Sequence, residues 1–66
     1  MTIAKIVEIS AESSTSFEDA IREGIDRASK TLDQVKGAWV KDQQVLIADG
    51  KVTGFRVTMK VTFVMK

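Results

Sequence analysis

From Phe55 to Met65 every second residue is apolar: Phe55, Val57, Met59, Val61, Phe63 and Met65. Arg56, Thr58, Lys60 and Thr62 stand between them. Period 2 marks a β-strand with one apolar face. Eleven residues of it exceed the usual strand of about five or six. This closing strand therefore has more backbone and more side chain than one small sheet needs, and the surplus points to assembly.

Towards the N-terminus, Ile3 to Ile9 is rich in β-formers and reads as a first strand, with the polar cluster Ser10 to Ser16 ending it. Ser13, Thr15 and Ser16 each have a polar or acidic residue three positions on, so any of them can cap a helix. From Phe17 the spacing turns helical: Phe17, Ala20, Ile21, Gly24, Ile25, Ala28 and Leu32 form one apolar stripe. Asp19, Arg22, Glu23, Asp26, Arg27 and Lys30 occupy the other side. Gly24 costs about 1 kcal/mol of helix propensity relative to alanine, which a close approach of helix to sheet would explain.

The helix is expected to end around Asp33 to Gly37. Ala38 to Ile47 returns to strand character, and the polar run Lys41-Asp42-Gln43-Gln44 at its centre predicts a bulge or bend. Ala48-Asp49-Gly50-Lys51 supplies a hairpin turn. The expectation is a single α+β domain over residues 1–66, ordered β-α-β-β, with a three-stranded antiparallel sheet curled around one helix.

Composition sharpens the case for assembly. A chain of 66 residues buries only about 60% of its unfolded surface, and small domains compensate with disulfides, metals or oligomerisation. Cysteine and histidine are absent, which removes disulfides and leaves only oxygen ligands for a metal. No apolar run nears the roughly 18 residues of a membrane span, and no charged and apolar leader is visible; a soluble cytoplasmic protein with no membrane partner is expected. The net charge of +1, with its signs interspersed, lacks the basic stripe of a nucleic-acid binder.

Catalysis finds little to work with. Without histidine, cysteine or tyrosine, bases and nucleophiles reduce to carboxylates, lysines and hydroxyls. The serines cluster where capping explains them, and Gly24, Gly37, Gly50 and Gly54 are isolated rather than gathered in a phosphate loop. A non-enzymatic protein is expected.

Several strings then carry a family resemblance: the Ser-rich helix entry before Phe17, Ile25-Asp26-Arg27-Ala28 with Thr31, Val40-Lys41-Asp42-Gln43, and Phe55-Arg56-Val57 leading to Val61-Thr62-Phe63. Together, at this length, the chain resembles the dodecins, small β-α-β-β proteins that assemble as hollow dodecamers. The resemblance implies a homododecameric store that sequesters a flavin, FMN or riboflavin. In the family a tryptophan on the second strand stacks on the isoalloxazine ring and a glutamine on the third strand reads its polar edge.

Counting back from Asp42-Gln43 and along Phe55-Arg56-Val57, those positions fall at Gly37 and Arg56 in this sequence. Gly37 has no ring, and Arg56 donates hydrogen bonds but accepts none. Trp39, about 7 Å further along at roughly 3.3 Å per residue, is a stand-in for the ring if the ligand shifts, and otherwise an anchor of a subunit interface. Gly37, Trp39, Gln43 and Arg56 are thus the candidate cofactor residues.

Arg56 is expected either to grip the phosphate of FMN or coenzyme A, to stack on Trp39, or to pair with an acid of a neighbouring subunit. Some dodecins with arginine at this position bind calcium, which makes Glu8, Asp42 and Asp49 the candidate metal ligands. A site of six to eight oxygens then needs several copies of the chain. A purely structural shell is the remaining alternative.

Overall fold

A computed structural model, which describes residues 3–32 and 34–65, places β1 over Ile3–Ser13, α1 over Phe17–Thr31, β2 over Val35–Ala48 and β3 over Lys51–Met65. The sheet order is β1-β3-β2, with both neighbours antiparallel to β3. The long closing strand is therefore central, and pairing on both edges uses its extra backbone. Met1, Thr2, Asp33 and Lys66 lie outside the described residues; the helix closes at Thr31 with Leu32 as its C-cap, ahead of the expected end around Asp33 to Gly37, and Val35 already belongs to β2.

Each strand is longer than its sequence pattern. β1 continues past Ile9 because Ser10, Ala11, Glu12 and Ser13 find partners in Thr58, Val57, Arg56 and Phe55. The serine cluster that was expected to end the strand thus contributes its last turn-free stretch. β3 begins at Lys51 rather than Phe55, since Gly54 and Val52 pair with Leu46 and Ile47 although Thr53 and Gly54 break the alternation. Between these strands the turn tightens to Asp49-Gly50. Their φ angles of 53° and 74° are the pair of positive values that a type I′ hairpin requires.

The helix entry is capped in two layers. Ser16 is the N-cap, its Oγ accepting from the Asp19 N–H at 3.0 Å. Ser13 Oγ accepts from the Thr15 N–H at 2.9 Å and donates to Asp19 Oδ2 at 2.6 Å. Glu18 and Asp19 in the first turn also complement the positive end of the helix dipole.

The helix stripe lies on the odd face of β3. Ala20, Gly24 and Ala28 are the buried helical residues, and beneath them Val57, Met59 and Val61 are completely enclosed. A Cβ on Gly24 would stand 2.8 Å from Met59 Cε and 3.0 Å from Ala11 Cβ, so the expected close approach is real. Phe17 meets Phe55 edge to face, with ring centroids 5.1 Å apart, and closes one end of the core.

The bulge expected in the middle of β2 falls between Val40 and Asp42, with Lys41 as the additional residue. No helix among the described residues is long and apolar enough to cross a membrane.

Two substitutions test this packing. Gly24→Leu forces a side chain into the Met59 and Ala11 contacts and is expected to cost about 1–3 kcal/mol. Ser16→Ala removes the cap and should cost about 1 kcal/mol. Denaturant midpoints at fixed protein concentration check both; an unchanged midpoint for Gly24→Leu would refute the tight helix–sheet approach.

Candidate functional site

The face of the sheet turned away from the helix is polar, and strand register assigns its occupants. Side chains of directly opposed residues share a face. Across β1, β3 and β2 the rows are Glu12, Arg56 and Gln44; Ser10, Thr58 and Asp42; Glu8, Lys60 and Trp39; then Ile6, Thr62 and Gly37. Each row draws one residue from each strand, so the face is built by pairing three distant segments.

Of the candidate cofactor residues, Gly37, Trp39 and Arg56 lie on this face. Gly37 and Trp39 occupy adjacent rows with no shift between them. Thr62 Oγ1 donates to the Gly37 carbonyl at 3.1 Å, which leaves a low, flat surface beside the indole. Trp39 is 72% exposed, an unusual state for so large an apolar ring and a mark of a surface used for binding.

Gln43 does not join them. It pairs with Val57 and so lies on the helix side of the sheet. The cause is the Lys41 bulge: one additional residue reverses the alternation for every position beyond it. Gln44 takes the place on the outer face instead, directly opposite Arg56.

Arg56 is held by its own chain. Its guanidinium lies 3.2 Å from Glu12 Oε2, across the β1–β3 pair. Within one chain the acid that meets Arg56 is Glu12. Arg56 does not stack on Trp39, because four residues of β3 separate Arg56 from Lys60, the partner of Trp39; that is about 13 Å at roughly 3.3 Å per residue.

The candidate metal ligands do not converge. Glu8 accepts from Lys41 Nζ at 3.2 Å, Asp42 sits opposite Thr58 in the next row, and Asp49 is in the hairpin turn. Among the described residues no group of three or more acids is placed to hold a metal ion.

Sequence reasoning missed Glu12, Gln44 and Lys60. Glu12 was hidden in a segment read as a loop, and Gln44 was hidden by the change of parity at the bulge. Lys60 was read only as a polar filler of the closing strand. Lys60 lines, with Trp39, Val40 and Lys41, a hollow of about 200 Å³.

Removing the Glu12–Arg56 attraction should change little by itself, because both side chains are part-exposed and such pairs contribute about 0–1 kcal/mol. Glu12→Gln is expected to move the denaturation midpoint within that range. A loss of several kcal/mol would show that the pair is enclosed by other copies of the chain.

Comparison with known proteins bears on the fold. The family described as Dodecin matches residues 3–66. The calcium dodecin of Mycobacterium tuberculosis is 33% identical over 67 residues, spanning 100% of this chain and 93% of the relative. Among solved structures, a dodecin from Streptomyces davaonensis superposes with a TM-score of 0.93 at 32% identity, covering 98% of this chain and 96% of its own. A dodecin from Streptomyces coelicolor gives 0.93 at 26% identity, covering 98% and 93% respectively.

Proposed function

The chain belongs to the dodecin family, and from that premise we propose that it is a non-enzymatic homododecameric shell that sequesters a small aromatic cofactor on its outer sheet face. FMN or riboflavin is the expected ligand. The observation that carries this reading is Trp39, an indole left 72% exposed in the middle of a polar face, beside the flat surface at Gly37. A planar ring stacked there removes apolar area from water on both partners.

The residues fit a flavin in a rearranged way. Gly37 supplies no ring, but the neighbouring row does. Arg56 cannot accept a hydrogen bond, yet Gln44 beside it carries an amide with both a donor and an acceptor. Assembly is supported by the small core: among the described residues only Ala20, Ala28, Val57, Met59 and Val61 are buried hydrophobics, while Ile3, Ile6 and Ile47 are more than half exposed. Burial of these residues between copies would supply apolar contact that the single chain lacks.

Since Trp39 is the single tryptophan, its emission reports on this face alone. Titration with FMN is expected to quench it, and protein purified with bound flavin should be yellow. Unchanged emission at high micromolar FMN would sink the flavin reading.

A second reading, a cation-binding shell, is favoured by one observation, the similarity to a calcium dodecin. The donor set within one chain does not fit an ion that takes six to eight oxygens, because Glu8 is engaged by Lys41 and Asp42 and Asp49 are apart from it. Such an ion would need carboxylates from several copies. Calorimetry with calcium after chelator treatment decides: heat and a raised Tm support this reading, and neither effect removes it.

A further inference from the structure

Beyond Phe55 the sheet loses a strand. β1 ends at Ser13, the partner of Phe55, while β2 and β3 run on together to the Asp49-Gly50 turn. Helix α1 starts at the same level, since Phe17 packs on Phe55 with ring centroids 5.1 Å apart. The hairpin beyond is an uncovered two-stranded arm, and such a ribbon is marginal in water by itself. Its helix-side face is apolar: Val45 lies opposite Phe55, and Ile47 lies opposite Val52. Val45, Ile47 and Val52 are 40%, 64% and 55% exposed.

On the same side of the sheet, a groove of about 470 Å³ runs between α1 and β1. Ile9 and Ala11 of the strand and Gly24 and Ala28 of the helix give it apolar walls, and Glu23 and Arg27 stand at its rim. The charges that line it are matched within the chain, Glu23 to Arg27 at 3.4 Å and Glu12 to Arg56 at 3.2 Å. Among the described residues no buried polar side-chain atom lacks a partner. The groove thus calls for aliphatic side chains and not for an ion or a polar small molecule.

We propose that this groove receives the β2–β3 arm of a second copy of the chain, with Val45, Ile47 and Val52 set against Ala11, Gly24 and Ala28. Charge complementarity selects this occupant. Asp49 and Lys51 at the tip of the arm carry one charge of each sign and have no ion-pair partner within 4.0 Å among the described residues. Glu23 and Arg27, one helical turn apart, present the same two signs at the rim, so Lys51 can meet Glu23 while Asp49 meets Arg27. Their own exposed pairing contributes little, and exchanging it for the arm costs little. The contact is head to tail: each copy gives one arm and one groove, and closed rings follow. Three side chains fall well short of the roughly 800 Å² per partner of a stable interface, so the arm is held in an assembly that grips every copy more than once. This docking rests on the assembled state proposed above.

The chain has no cysteine, so an introduced pair reports the contact alone. Ala28 lies 11 residues along α1 from Phe17, about 16 Å at 1.5 Å per residue, and Ile47 lies outward of the Phe17–Phe55 contact on the arm. Within one chain the two are too far apart for a disulfide, which needs Cα atoms within about 7 Å. In the full-length protein, the Ile47→Cys, Ala28→Cys double variant is expected to form a ladder of covalent multimers under mild oxidation, and neither single variant should. Ile47→Lys lies outside the core and should lower the native mass below that of the dodecamer while circular dichroism stays that of the folded chain.

Links formed by Ile47→Cys alone would place arm against arm and overturn the docking. A double variant that stays unlinked, or an Ile47→Lys variant that keeps the full assembly, overturns it as well and leaves the assembled state standing. A monomeric unmodified protein overturns both.

Discussion

The close approach of α1 to the sheet at Gly24 is the constraint on which the rest of the structure depends. With no side chain at this position, the helix comes near enough for Met59 and Ala11 to fill the space a Cβ would take. Val57, Met59 and Val61 are then sealed beneath Ala20 and Ala28, and the odd face of β3 is committed to the core. Alternation does the rest: once the odd face is fixed, the even residues must point away from the helix. A packing contact on one side of the sheet thus determines which side chains are presented on the other.

The presented face is edited by a single residue. Lys41 bulges out of β2, and positions beyond it exchange faces. Asp42 and Gln44 join Trp39 and Arg56, while Gln43 goes to the helix side. The same residue sends its ammonium back to Glu8, which ties β2 to β1 across the central strand. Bulges near functional surfaces commonly re-aim side chains in this way, and here the result is a polar face with an indole in one row and an arginine–amide pair two rows away.

Most of the fold was legible in the sequence. The alternation of the closing strand, the Gly24-containing helical stripe, the Asp49-Gly50 turn and a disturbance at Lys41 to Gln44 all have local causes that a sequence displays. Strand ends were not legible, because Ser10 to Ser13 and Lys51 to Gly54 become strand through their partners and not through their own propensities. The site was legible only as a region. Gly37, Trp39 and Arg56 could be counted onto one face, but the exact parity beyond Lys41 and the internal pairing of Arg56 with Glu12 depend on register, which a residue list does not contain.

The small core beneath the helix leaves Ile3, Ile6 and Ile47 more than half exposed, and the proposed assembly would cover them. Native mass spectrometry of protein purified under mild conditions tests that proposal most directly, since it weighs the assembly and any ligand it retains. The account predicts a dodecamer, with additional mass from bound aromatic cofactor when the protein is supplied with it. A monomer as the sole species would contradict it.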